Sequence, residues 1–280
     1  MKISTKILKL KKSNKQIKQL TFTTPKKSTV SKHSNLTTCL KKINGLNNVK
    51  GKVLIKVNLN SDDKYPGTSN PKTLSELIKL LQKKTKKIFV GDRSSIFWEG
   101  TRENAEKVGI TQATEKAGAE MVYFENHPWI KTRDFWITEK ILDYDHVINL
   151  AVLKTHRIAG ITLSLKNMMG ITHPRTRLFM HAHNLNKKIA RINTLINPTI
   201  NIIDGTKCFI DGGPDTGVLK QGKIILASKD RIALDVISFK ELQQLGSKSL
   251  ARKNPWKHPQ IKEAVKLKLG VNSDKKIIIK

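Results

Sequence analysis

A chain of 280 residues with a formal charge of +31 has room for a large core and must attract polyanions at low salt. Its hydrophobic fraction of 38% is low but lies outside the disordered range, and two cysteines, Cys39 and Cys208, are too few for a disulfide framework or for a self-ligated iron–sulfur cluster. No apolar run reaches the length of a membrane span and the Lys-rich start has no apolar h-region, so the expectation is a cytoplasmic protein in a reducing compartment.

Residues 1–33 read as a basic N-terminal extension in which Ile7-Leu8-Lys9-Leu10 alternates well enough for one edge strand at most. Such an arm either binds a polyanion or is a solvated leader. A single α/β domain is expected over 34–280. It opens with a short helix at 35–43 and a buried strand at 52–59, KVLIKVNL, that carries Lys56 and Asn58 at its carboxyl end. A polar loop at 60–70 follows, then a helix through Lys84 with Leu74, Leu77, Ile78 and Leu81 on one face. The strand at 87–90 ends in Gly91-Asp92-Arg93, with Phe97 and Trp98 in the next loop as a pocket wall or a core lid. Helix at 101–117, broken near Gly109, strand at 120–124, short helix at 138–142 and strand at 146–152 continue the alternation that marks a doubly wound sheet.

The stretch 149–170, NLAVLKTHRIAGITLSLKNMMG, then crowds Lys154, Thr155, His156, Arg157, Thr162, Ser164, Lys166 and Asn167 into a strand end and its loop. Beyond it come a polar connection at 173–183, a helix at 184–195 and a strand at 199–203 ending in Asp204-Gly205. The rest is the turn GGPDTG, a strand at 223–227, a helix at 231–245 capped by Asp230, a basic helix at 259–269 and a last strand at 276–279. GGPDTG lacks the lysine ending of a P-loop, and no G-x-S-x-G elbow occurs.

Lys56, Lys154, His156 and Lys166 fall at or just past strand ends, which converge on one edge of a parallel sheet. Three ammonium groups suit a phosphate or carboxylate, with Asn58, Asp92, Thr162 and Asn167 placed to orient it. The plainer role for these lysines is to reach out to water, which the apolar surroundings of Lys166 argue against. His181 and His183, in H-x-H spacing, would share one side of an extended segment and with His156 or Asp204 make an N/O site for a divalent metal. The other role for His156 and His181 is proton transfer or an anion contact, and Asp204 at a strand end is the best-placed general base. Asp235, inside ALDVI, needs a partner if it is buried.

Several blocks together resemble one family, the prokaryotic domain-of-unknown-function family numbered 362. They are KVLIKVNLN at 52–60, VGD at 90–92, VINLAVLKTH at 147–156, TLSLKNMMG at 162–170, the His181 region, IIDG at 202–205, GGP at 212–214 and ASKDRIALD at 227–235. The resemblance implies an α/β protein with a polar cleft; some members carry ferredoxin-type cysteine modules, which this chain lacks. Val57 and Ala151 stand where the family usually or often has proline.

The reading is therefore a mostly parallel, doubly wound sheet with helices on both faces. Its function would be to act, as enzyme or binder, on a small anionic compound in a Lys/His-lined cleft, with Lys166, His156, His181 and Asp204 as the chemical groups. The alternatives are nucleic-acid binding driven by charge and a His-ligated metalloprotein.

Overall fold

The structure is a computed structural model, and it describes residues 11–95 and 100–280. Ile7-Leu8-Lys9-Leu10, Phe97 and Trp98 lie outside the described residues. The chain begins its sheet with β1 (Ser28–His33), followed by α1 (Leu36–Lys42) and β2 (Lys52–Lys56), whose Val53, Leu54 and Ile55 are buried on both faces. In α2 (Pro71–Gln82) the Asn70 side chain caps the amide of Lys72, Pro71 occupies the first turn, and Leu74, Leu77, Ile78 and Leu81 pack inward. After β3 (Lys87–Asp92) the helical stretch splits into α3 (Thr101–Lys107) and α4 (Ile110–Lys116), because Gly109 adopts φ +81° between them.

β4 (Glu120–Tyr123) completes that half, and β5 (Trp129–Lys131) with β6 (Trp136–Thr138) forms a separate antiparallel pair. The second half runs through β7 (His146–His156), β8 (Gly160–Thr162), α5 (Ser164–Asn167), α6 (Pro174–Ala182) and α7 (Leu185–Ile192). It ends with β9 (Ile200–Gly212), β10 (Gly217–Lys220), β11 (Ile224–Ser228), α8 (Arg231–Gln244), α9 (Pro259–Lys266) and β12 (Ile277–Ile279). Asp230 caps α8 as expected, accepting from Ile232 N at 2.8 Å and Ala233 N at 2.9 Å.

The main sheet has the order β12-β1-β11-β9-β7-β2-β3-β4, with β10 on β9 and β8 on β7. From β4 to β9 every pairing is parallel; β11 is antiparallel to both β9 and β1. One face is covered by α1, α2, α3 and α4 through residues such as Leu36, Leu77 and Ile110. The other is covered by α5, α7, α8 and α9 through Leu165, Ile189, Phe239 and Ile261. The fold is thus α/β with a mostly parallel sheet. The chain winds outward from β2 to β3 and β4, then returns to place β7 on the opposite side of β2. That reversal opens a crevice at the carboxyl ends of β2 and β7.

Local expectations needed four corrections. Ser28–His33 pairs on both sides and Val30 is fully buried, so a boundary at residue 33 cuts through the sheet. β7 and β9 run on well past 152 and 203, because beyond the end of β2 they still pair with each other. The polar connection at 173–183 is largely helix α6, started by Pro174 and by His173 Nδ1 accepting from Arg175 N at 3.1 Å. The short helix at 138–142 is a 3-10 turn, Glu139–Asp143.

Deleting residues 1–33 is expected to expose the ladder of β11 and the cavity left by Val30. Urea denaturation followed by circular dichroism should give a much lower midpoint, or an aggregated chain.

Candidate functional site

The crevice is floored by a chain of buried asparagines. Asn167 Nδ2 donates to Asn149 Oδ1 at 2.7 Å, and its Oδ1 accepts from Asn58 Nδ2 at 3.0 Å. Asn149 Nδ2 in turn donates to Asn201 Oδ1 at 2.9 Å. These amides join α5, the segment just past β2, β7 and β9 at the point where the strand order reverses. Asn58 Oδ1 also accepts from Lys154 Nζ at 3.1 Å. The other acceptors of that ammonium are the carbonyls of Gly67 and Pro214, so it is fully hydrogen-bonded but touches no carboxylate. Burial holds Lys154 down to about 7, with Asp63 and Asp215 pulling it back up.

Lys166 owes its position to Asp235. That buried carboxylate accepts from Ser164 N at 2.8 Å, Ser164 Oγ at 2.5 Å and Leu165 N at 3.1 Å, which fixes the first turn of α5. Burial pushes the Asp235 carboxyl up to about 7 while those donors and Arg231 oppose the rise. From α5 the Lys166 side chain lines the crevice. Among the described residues its Nζ has no hydrogen bond and no ion pair. Burial first, then Lys154, Arg177 and Lys56, lower it to about 7.

Two arginines complete the wall, and sequence reasoning did not select either. Arg177, on α6, spends Nη2 on the carbonyls of Arg93 at 3.1 Å and Met169 at 3.2 Å, leaving Nε buried without an acceptor among the described residues. Arg93, just past β3, has both Nε and Nη1 buried without acceptors among the described residues, and the hydroxyl of Thr162 is likewise unpartnered there. Burial and Arg177 lower Arg93 to about 9. The only early signal was that arginine is sparse in this Lys-rich chain while both sit beside motif residues. Together with Asn58, Lys154, Lys166 and Asn167 these groups enclose a cavity of 330 Å³.

The two histidines at the cavity have opposite polarity. His156 Nδ1 accepts from the amides of Ile158 and Ala159, each at 3.1 Å, so the proton sits on Nε2. Burial and the surrounding cations lower its pKa to about 2, which makes it a hydrogen-bond donor throughout the physiological range. His181, at the rim, donates Nδ1–H to the Arg177 carbonyl at 2.8 Å, leaving Nε2 as a bare acceptor. Its pKa is lowered by burial and by Lys166 and Arg177.

Other expected residues fall elsewhere. Lys56 is paired with Asp92 at 2.8 Å beneath Gly170, where a Cβ would collide with both side chains, so it supports the floor and holds no ligand directly. Asp92 also accepts from Leu59 N at 2.8 Å and Arg93 N at 2.7 Å. Asp204 lies outside the cavity, its carboxylate taken by Tyr65, Thr73 and Thr206, so a general-base role is replaced by a structural one. The H-x-H segment is helical to Ala182 and not extended, and His183 is turned out against the Phe179 ring at 5.2 Å. No group of three or more His, Cys, Asp or Glu among the described residues is placed to hold a metal ion. The GGPDTG turn contributes Pro214 and Asp215 to the cavity wall.

The sequence profile of the family described as Domain of unknown function (DUF362) matches residues 53–240, which contain every cavity residue named above. A thylakoid-associated protein of Synechocystis sp. is 26% identical over 226 residues, covering 75% of this chain and 70% of that protein. No solved structure matches the chain. Among the described residues no helix is long and apolar enough to cross a membrane.

Two outcomes follow from the geometry. Asp235→Asn keeps only one acceptor oxygen and should lose about 1–3 kcal/mol in chemical denaturation. Lys166→Met removes an ammonium whose folded pKa lies below its unfolded one, so the wild-type chain bears that cost fully at acidic pH and sheds it as pH rises through about 7 towards about 10. The variant should melt above wild type at pH 6, with the advantage fading across that window.

Proposed function

The chain belongs to the DUF362 family, and on that premise we propose that the crevice binds, and as an enzyme acts on, a small compound bearing a carboxylate or phosphate. The observation that carries this reading is the gathering of Arg93, Arg177 and Thr162, each with a buried donor that has no acceptor among the described residues, around one cavity that Lys166 also enters. Burying guanidinium N–H groups without acceptors is costly, and an anion in the cavity removes that cost by supplying them. Of the three carboxylates nearby none accepts from those donors: Glu125 acts on both arginines by its charge, but its second oxygen has no hydrogen-bond partner among the described residues. Asp92 is committed to Lys56, and Asp215 pairs with Arg157 at 3.1 Å.

A volume of 330 Å³ suits a small molecule and not a polymer. In this reading Arg93 and Arg177 grip the anionic group through their planar forks, and Lys154 stands behind it as an amine whose protonation the anion favours. Lys166 faces the remainder of the compound. His156 donates a hydrogen bond, and His181 is the group able to take a proton.

Isothermal titration calorimetry with inorganic phosphate, pyrophosphate and oxalate tests the reading. Wild type should bind at least one of them, and Arg177→Gln should weaken binding by about tenfold or more. Salt should matter little, because the pair forms out of bulk water. Failure of all three anions, with tight oligonucleotide binding that falls steeply with salt and ignores Arg177→Gln and Lys166→Ala, would move the function to nucleic-acid binding.

A further inference from the structure

We propose that Lys166 is an amine nucleophile that forms a Schiff base with a small aldehyde or ketone held by its carboxylate or phosphate, an inference that rests on the anion site above. Three lysines surround the crevice, and the fold treats them differently. Lys56 is tied to Asp92 and to the Val57 carbonyl, and Lys154 to three oxygen acceptors. Lys166, entering the same cavity, is bonded to nothing among the described residues. A lysine meant only to carry charge is normally given acceptors. One left bare, facing a cavity with anion grips beside it, has its lone pair available for a carbonyl carbon.

Every element around Lys166 raises the share of neutral amine. Lys56 and Lys154 come from β2 and β7, Arg177 from α6, and each disfavours a further positive charge. His156 on β7 and His181 on α6 also feel its charge. Arg93 lines the same cavity, while Asp92 and Asp215 are spent on other cations. At about 7, half of the Lys166 amine is unprotonated at neutral pH, against a trace for an exposed lysine.

In the step itself, the Nζ lone pair forms the C–N bond and the carbonyl π pair moves to oxygen. Both Nζ protons leave with that oxygen as water, passed across by His181 Nε2, and the nitrogen lone pair closes the C=N bond. Nothing is oxidised or reduced. The His181 imidazole suits the relay because its Nδ1–H is already committed to the Arg177 carbonyl.

The test is reductive trapping on the full-length protein at neutral pH with cyanoborohydride, followed by peptide mapping by mass spectrometry. Glyoxylate and glycolaldehyde phosphate are the two probes, and oxalate and inorganic phosphate are their unreactive counterparts, titrated in parallel by calorimetry. The expected result is an adduct on Lys166 exceeding any surface lysine by about tenfold or more, with one of the two probes. The matching unreactive anion should suppress it, Arg177→Gln should abolish the preference, and Lys166→Arg should keep anion binding while losing the adduct. Labelling scattered over surface lysines, with oxalate or phosphate still bound in an Arg177-dependent way, would overturn the nucleophile and leave the anion site standing. Scattered labelling with neither anion bound would overturn both.

Discussion

Asn167 is the joint on which this site turns. One side chain bonds to Asn58 beyond β2, to Asn149 within β7, and more weakly to the carbonyls of Lys56 and Leu150. Buried amides of this kind are tolerated only when nearly all their valences are met, and then they fix one arrangement against the alternatives. Here they set the spacing of β2 and β7 at the carboxyl ends, where the topology by itself would leave a gap. Since α5 also begins from Asp235, the helix that presents Lys166 is pinned at both of its ends.

Around that joint the protein separates two kinds of positive charge. Lys56 and Lys154 are given oxygen ligands by the chain itself, which offsets their loss of water and makes them part of the framework. Lys166, Arg93 and Arg177 retain unused donor capacity and share the cavity surface. The contrast matters more than the total of +31, most of which is Lys spread along the chain. Long-range charge brings anions near any basic protein; in the function proposed above, donors without partners would give one of them a place to stay.

Sequence patterning made the alternation of strands and helices readable, because apolar runs such as 53–55 and the helical spacing of Leu74, Leu77, Ile78 and Leu81 are local signals. The break at Gly109 and the Asp230 cap were local too. What escaped was set by distant partners. β7 and β9 lengthen because each supplies the other's ladder, and β1 is a strand because β11 and β12 flank it. At the site, Lys154, Lys166, Asn58, Thr162 and Asn167 were legible as polar residues among apolar ones, and the structure brings them to one cavity. Asp204 and Lys56 looked equally chemical, but their partners, Tyr65 and Thr73 in one case and Asp92 in the other, come from remote segments. Arg93 and Arg177 were passed over for the converse reason: each looks like one more surface cation until folding withdraws its acceptors.

The hydrogen bonds that hold Lys154 have a further consequence. Its ammonium is coordinated by Gly67, Pro214 and Asn58, drawn from three separate segments, much as a macrocyclic ether holds an ion. A side chain so encircled has few rotamers left to lose, and the same three segments are cross-linked through it. Most of the ordering that a ligand would otherwise impose has therefore already happened during folding. A compound of few atoms, unable to reorganise a loose pocket, would meet walls that are already in place.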